Sequence, residues 1–207
     1  MNFHRAIMKA WADSFRYLSA CFCLPQKELF IQENVLCSLV QALTETCPKA
    51  VPFSKEMEKA FKEQDEERLR VDFAKLFIGP YELLAPPYGS VYLEGERRLM
   101  GNSTVEVIKL YQEAGLVMDK DLKELPDHIA VELEFMYYLI WKETEALEKS
   151  ETEKAHRFRE MRDKFFHQLL SPWVPSFCQR IKESTDNFFY IALANCLSTF
   201  IANQSLS

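Results

Sequence analysis

The spacing of the large apolar side chains constrains the fold of this chain most strongly. They recur at intervals of three and four positions, which places them on one side of an α-helix. The alternation typical of half-buried β-strands is missing, and only five glycines occur among 207 residues. Scarce glycine favours helices over a fold rich in tight turns. The clearest stripe lies near the N-terminus and comprises Ile7, Trp11, Phe15, Leu18 and Phe22.

Local signals predict where several helices begin and end. We expect a second helix over about residues 29–46 and a third that begins near Ser54, whose hydroxyl suits an N-cap. The motif Ser103-x-x-Glu106 has the form of a capping box, in which the hydroxyl and the carboxylate each accept a backbone N–H. Gly115 is expected to end that helix, because glycine tolerates positive φ.

From these patterns we predict an all-α protein, a single globular bundle of about eight to ten helices that forms one domain over residues 1–207. The charged segment 143–153 is expected to be solvated. Residues 79–102 form the longest break in the helical pattern. This segment is rich in proline and glycine, yet too apolar for disorder. We therefore expect it to pack against the helices and to line a groove.

Charge and cysteine content argue against several classes of protein. The net charge is −6, with 31 acidic and 25 basic residues, whereas a nucleic-acid-binding surface needs clustered lysine and arginine. No apolar run approaches the ~18 residues of a membrane span, so we expect no stable membrane insertion. The six cysteines lack a Cys-x-x-Cys pair and are interpreted as buried small residues in a reducing compartment. We therefore expect a cytoplasmic protein.

Candidate catalytic and metal-binding motifs are incomplete. Glu153-x-x-His156 has the spacing of one half of a di-iron site, but a second copy is missing from the sequence and the segment is dense in charge. Neither a nucleophile elbow nor a glycine-rich phosphate loop is present. We therefore predict no enzymatic activity and no bound cofactor or metal. The adjacent Arg97 and Arg98 lie mid-chain and are interpreted as structural or surface charges.

Two polar or proline-rich motifs each have two interpretations. Asp127 precedes the most apolar helical stretch, where it suits an N-cap, and His128 then lies in the first turn. Alternatively, the pair forms a polar anchor beside an apolar groove and contacts a peptide. Pro86, Pro87 and Tyr88 either cover the core or contribute a binding surface, since loops carry many binding residues.

In their order and spacing, the proline-aromatic segment 85–92, the Gly-x-Ser-Thr motif at 101–104 and the Leu-Pro-Asp-His motif at 125–128 resemble the TorD/DmsD/NarJ family of redox-enzyme maturation chaperones. The likeness is greater to the TorD and DmsD branches. Several members of the family have tryptophan where this chain has Tyr88 and Tyr92, a difference that bears on groove shape and partner identity.

The resemblance implies a cytoplasmic helical chaperone without enzymatic activity. Its implied partner is a molybdopterin-dependent oxidoreductase, bound as the apo form or through a twin-arginine leader peptide. Binding would assist cofactor insertion and delay export until the partner is folded. The peptide-binding residues that the resemblance implies are Leu76, Phe77, Pro86, Pro87, Tyr88, Tyr92, Pro126, Asp127 and His128.

Two other classes of function stay open at the level of the sequence. One is a helical metal-dependent oxidase, which stoichiometric binding of iron or manganese would reveal. The other is a helical scaffold or regulatory module without preference for a leader peptide. Both a monomer and a dimer are compatible with the sequence.

Overall fold

The computed structural model of the chain describes residues 2–79, 83–94, 99–117 and 124–204, with side chains from Arg5 onward. These ranges contain eleven α-helices and no β-strand, which confirms the predicted all-α fold. The helices are α1 (Asn2–Cys21), α2 (Lys27–Gln32), α3 (Val35–Thr46), α4 (Val51–Glu63), α5 (Glu66–Phe73), α6 (Gly89–Leu93), α7 (Asn102–Glu113), α8 (Ile129–Glu148), α9 (Thr152–Phe165), α10 (Val174–Ser184) and α11 (Phe188–Ala202).

Helix α1 contacts other helices through its apolar stripe, whereas Lys9 and Arg16 on its other face are exposed. It packs against α3 and α8, while α9 covers α8 and α11 packs against α4 and α10. Phe15 and Leu18 of the predicted stripe are fully buried. Aromatic rings fill much of the space between the helices, and Phe77 alone meets four of them. These are Phe22, Phe73, Phe177 and Tyr190.

Two of the predicted helices have other boundaries in the structure. The helix expected over 29–46 is two helices, since Asn34 adopts a left-handed φ of 50° between α2 and α3. Helix α4 begins at Val51, so Ser54 lies inside it rather than at its start. The Ser54 hydroxyl is buried and donates to the Val51 carbonyl oxygen at 2.9 Å. A buried hydroxyl within a helix commonly satisfies itself in this way.

The start of α7 is also capped differently from the prediction. Glu94 accepts the backbone N–H of Ser103 at 2.5 Å and the Ser103 hydroxyl at 2.8 Å, in place of the predicted capping box with Glu106. Gly101 permits this approach, because a Cβ atom there would lie 2.0 Å from Glu94 Oε2. At the other end, Gly115 has a φ of 82°, as expected for a residue that follows a helix.

The segment predicted to be solvated contains a buried ion pair. Helix α8 continues to Glu148, and Glu143 within it is 1% exposed. Its two carboxylate oxygens accept from Arg162 at 2.5 Å and from Arg159 at 2.7 Å, both on α9. The pattern of the sequence did not predict this burial, because the two arginines lie sixteen and nineteen residues after Glu143.

Cysteine burial agrees with the prediction for four of the six residues. Cys21, Cys47, Cys178 and Cys196 are buried, whereas Cys23 and Cys37 are exposed, and all six are free thiols. No helix within the described ranges is long and apolar enough to cross a lipid bilayer. The predicted surface pair Arg97 and Arg98 lies outside the described residues, as do residues 80–82 and 95–96 of the predicted loop.

Candidate functional site

Two backbone hydrogen bonds hold the proline-aromatic segment against the start of α8. The Gly89 N–H donates to the Asp127 carbonyl oxygen at 2.9 Å, and the Ile129 N–H donates to the Pro87 carbonyl oxygen at 2.8 Å. Tyr88 and His128 thereby face each other in an isolated antiparallel bridge. The two motifs that were separated by about forty residues in sequence therefore form one site.

Asp127 supports this bridge from inside the protein. Its side chain is 1% exposed, and its Oδ2 atom accepts the backbone N–H of Ser90 at 2.9 Å. Ser90 lies in the first turn of α6, where N–H groups lack partners within the helix. The carboxylate thus satisfies the start of α6, and the prediction that it is the N-cap of the following helix is wrong.

His128 is the N-cap of α8. Its Nδ1 atom accepts the Ala130 N–H at 3.1 Å, which requires that this nitrogen carry no proton. Burial lowers the pKa of His128 to about 4, against the opposing effect of Asp127. Glu124 lies nearby, with its Oε2 atom 3.7 Å from His128 Nε2. A neutral imidazole therefore caps the helix at neutral pH.

Aromatic side chains give the segment its shape. The Tyr92 hydroxyl donates to the Pro86 carbonyl oxygen at 2.9 Å, and its ring stacks on Trp173 with centroids 5.5 Å apart. Tyr88 is half-buried and meets the His128 ring edge-on at 5.4 Å. These contacts hold both tyrosines in defined positions on the surface of the bundle.

A buried acid lies beneath the segment. Glu132 is 1% exposed, and its Oε2 atom accepts the Trp173 indole N–H at 3.1 Å. Burial raises the pKa of Glu132 well above its usual range, and the nearby Asp127 adds to this, although the Trp173 bond acts against it. Gly89 leaves room for the pair, because a Cβ atom there would lie 3.0 Å from Trp173 Nε1. The side chain of Glu132 is thus expected to be protonated.

The nine predicted site residues differ in how deeply they are buried. Pro86, Tyr88, Tyr92 and Pro126 are half-buried around the bridge, whereas Pro87, Asp127 and His128 are buried within it. Leu76 and Phe77 lie on a π-helical turn that extends α5 over Ala74–Ile78, and both are buried.

Leu76 is joined to the segment, since its carbonyl oxygen accepts the Ala85 N–H at 2.9 Å. Phe77 instead belongs to the aromatic core.

Sequence reasoning missed the residues that position the segment from a distance. They include Tyr111, Glu132 and Trp173, of which Tyr111 donates its hydroxyl to the Pro126 carbonyl oxygen at 2.8 Å. Gly89 was the one available signal, because glycine inside an apolar segment often marks a close approach. Their contacts span up to 41 residues of sequence.

A metal centre has no counterpart in the described part of the chain. No group of three or more histidine, cysteine, aspartate or glutamate side chains is arranged there to hold a metal ion. Glu153 and His156 are both exposed on α9. The His156 Nδ1 atom lies 3.5 Å from a carboxylate oxygen of Glu160, one helical turn further along α9. No observation favours the metal-dependent oxidase.

Known proteins resemble the chain in sequence and in fold. The chaperone protein TorD from Vibrio parahaemolyticus is 35% identical over 133 residues, which are 64% of this chain and 60% of that protein. The Tat proofreading chaperone DmsD from Salmonella typhi is 32% identical over 133 residues, covering 64% of this chain and 58% of its own. The aligned part of this chain thus covers about three fifths of the length of each of these two relatives.

A solved structure shares the fold. The crystal structure of a protein from Archaeoglobus fulgidus, described as a candidate redox enzyme maturation protein, superposes with a TM-score of 0.57. It covers 90% of this chain and 91% of its own at 22% identity, which supports the fold alone. The family model described as nitrate reductase delta subunit matches residues 38–179. That range exceeds half of the chain and includes the whole bridge, so the chain belongs to the nitrate reductase delta subunit family, the TorD/DmsD/NarJ family that its motifs predict.

Proposed function

We propose that this chain is a cytoplasmic maturation chaperone for a molybdopterin-dependent oxidoreductase. It binds the apo form of that enzyme, through a twin-arginine leader peptide where one is present, assists cofactor insertion and delays export until the partner is folded. Membership of the family and the names of the relatives support the class of function. The chain acts by binding, as one domain over residues 1–207, and performs no chemistry of its own.

The observation that carries this proposal is the backbone bridge between Tyr88 and His128. It holds a short segment with two prolines and two tyrosines in one conformation before any partner arrives. Binding to a surface that is already ordered costs less conformational entropy than binding to a mobile loop. A half-buried tyrosine also offers a large contact area at low entropic cost. The segment is therefore suited to receive an apolar peptide.

The charge around the segment suits a basic partner. The Glu124 side chain is 48% exposed, and its Oε2 atom lies 3.7 Å from the imidazole of His128, which is neutral at pH 7. The chain as a whole carries a net charge of −6. Negative potential of this kind speeds the approach of a basic peptide and helps to select it, while apolar burial supplies most of the affinity.

Titration of a fluorescein-labelled twin-arginine leader peptide, followed by anisotropy, tests the proposal. A scrambled peptide of equal composition is the control for the ligand. Tyr88→Ala is expected to weaken leader binding about tenfold, because it removes an aromatic contact. Tyr137→Ala removes a half-buried tyrosine from α8 outside the segment and is expected to bind as the parent does. Equal affinity for the leader and the scrambled peptide would favour a scaffold instead.

A further inference from the structure

We propose that the leader peptide lies in a groove along α10, with its apolar stretch between α10 and the 83–92 segment and its arginines toward α5. This inference rests on the proposed function and names the surface that the partner occupies. It also adds α10 to the binding site, which the sequence motifs did not include. Asp127 and His128 then act on binding by holding the wall of the groove.

Two open cavities in series form this groove. The first has a volume of about 790 Å³ and lies between α5 and residues 183–186. The second has a volume of about 760 Å³ and lies between α10 and residues Leu83, Leu84 and Tyr92. Both are lined by Glu183 and Ser184, so the two cavities meet at the C-terminal end of α10. A peptide chain can therefore pass from one to the other.

Leu84 joins the 83–92 segment to α10. Its carbonyl oxygen accepts from Arg180 Nε and, at 3.5 Å, from the Ser184 hydroxyl. These bonds satisfy the Leu84 carbonyl group, while the Leu84 side chain stays 41% exposed. An apolar side chain held at the surface by its own backbone contacts is well placed to contact an apolar ligand.

The lining of the second cavity combines apolar and polar side chains. Leu83, Leu84, Tyr92 and Pro175 contribute the apolar part, and the polar part is contributed by Ser176, Gln179, Arg180, Glu183 and Ser184. Tyr92 is rigid there, since its ring stacks on Trp173 and meets Phe177 at a centroid distance of 6.1 Å. A rigid aromatic wall loses little entropy on binding, so this cavity suits the apolar stretch of a leader.

The first cavity is acidic. Five carboxylates line it, namely Asp65, Glu67, Asp72, Glu183 and Asp186, against the two cations Arg68 and Lys75. Both cations are engaged by the buried Asp72, to which Arg68 Nε donates at 2.6 Å and Lys75 Nζ at 3.4 Å.

Three of the five carboxylates, Asp65, Glu67 and Glu183, form no ion pair within the described residues, although Asp65 accepts the backbone N–H of Arg68 at 2.7 Å. Glu183 accepts only from Gln179 at 2.7 Å, and neither Glu183 nor the exposed Glu67 pairs with lysine or arginine in the described part of the chain. A partner with two guanidinium groups complements this arrangement, because arginine binds carboxylates through paired hydrogen bonds.

The depth of the predicted residues agrees with this placement. Asp127 and His128 are 1% and 5% exposed and make their hydrogen bonds within the protein. By contrast, the half-buried Tyr92 lines the second cavity, and Leu76, although only 1% exposed, contributes to the lining of the first. Two of the residues predicted to bind the peptide thus reach the groove, and the buried pair positions the segment that carries one of them.

Anisotropy with the labelled leader peptide tests this surface through two matched pairs of variants. Leu84→Ser and Ile31→Ser each shorten an exposed aliphatic side chain, but only Leu84 lines the groove. Glu183→Lys and Glu45→Lys make the same charge reversal at exposed glutamates, of which only Glu183 lines the groove. A second peptide, with both arginines replaced by glutamine, tests where the arginines lie. Thermal melting verifies that each variant is folded.

We expect Leu84→Ser and Glu183→Lys each to raise Kd about tenfold, with both control variants unchanged. The loss in Glu183→Lys should shrink as salt rises, since exposed charges are screened, and should be smaller for the glutamine peptide. If the parent binds the leader while both groove variants bind it equally well, the groove is not the site and the chaperone function stands. If the parent does not distinguish the leader from its scrambled form, the proposed function itself fails.

Discussion

The Oδ2 atom of Asp127 lies 2.9 Å from the backbone nitrogen of Ser90. This hydrogen bond joins Asp127, which directly precedes the N-cap residue His128, to the first turn of α6. One carboxylate thereby ties together two parts of the chain that are 37 residues apart. Because the Ser90 N–H is buried, loss of its acceptor leaves an unpaired donor inside the protein. The bond is therefore a structural requirement of the proline-aromatic segment.

Replacing Asp127 should separate charge from hydrogen bonding. Asp127→Ala is expected to lower the free energy of unfolding by about 1–3 kcal/mol, because it leaves the Ser90 N–H without an acceptor. Asp127→Asn keeps an oxygen acceptor of the same size and should lose less. Denaturant unfolding of both variants measures the difference. Equal stabilities of the parent and Asp127→Ala would contradict the supporting role of this carboxylate.

Protonation of His128 should lower the stability of the folded protein in acid. Its pKa is about 4 in the folded protein and about 6.5 in an unfolded chain. Between these pH values the unfolded state binds more protons than the folded state. The contribution of His128 to the free energy of unfolding is therefore complete above pH 6.5 and is lost as the pH falls toward 4. The full contribution corresponds to about 3 kcal/mol.

His128→Asn isolates this effect, because asparagine also caps helices but does not titrate. We expect denaturant unfolding to show a weaker dependence on pH between 6.5 and 4 in this variant than in the parent. His156→Asn changes an exposed histidine on α9 and should leave the dependence as it is. An identical pH profile for His128→Asn and the parent would refute the prediction.

Glu132 should have the opposite dependence on pH. Burial raises the pKa of this carboxyl, so the folded state retains a proton that the unfolded state has released above about pH 4.3. Its contribution is therefore complete in acid and is lost as the pH rises. Glu132→Gln carries no proton to lose and can still accept the Trp173 indole N–H.

We expect Glu132→Gln to be more stable than the parent at pH 7–8, by about 1–3 kcal/mol, and similar to it near pH 4. Denaturant unfolding at the two pH values gives this comparison. A variant that is less stable than the parent at pH 8 would show that the carboxylate is ionised and satisfied in the folded protein.

The buried pair of Glu143 and Arg162 should be sensitive to the loss of either partner. Glu143→Ala is expected to cost about 1.5–3 kcal/mol, because the side chain of Arg162, which is 6% exposed, loses one of its two carboxylate partners and keeps only Asp163. Arg159→Ala should cost much less, since that side chain is 48% exposed. Thermal and denaturant unfolding provide the measurement, and equal losses in the two variants would oppose the distinction.

The sequence by itself determined the class of fold. Apolar residues such as Phe15 and Leu18 recur at the period of a helix, and that period is a local property of the chain. The ends of helices were also predictable where the signal was local, as at Gly115 with its φ of 82°. Family membership followed in the same way, because the motifs at 85–92, 101–104 and 125–128 are short and ordered along the chain.

Only the tertiary structure decided what the polar residues of the site do. Asp127 and His128 are neighbours in sequence, yet one satisfies α6 and the other caps α8. Which backbone N–H each of these side chains accepts depends on how helices that are far apart in sequence pack together, and no local sequence pattern specifies that packing. The same reason explains why Glu143 is buried against α9 and why α10 forms a wall of the groove. Periodicity predicts which side of a helix faces inward, whereas long-range packing selects the partner it meets there.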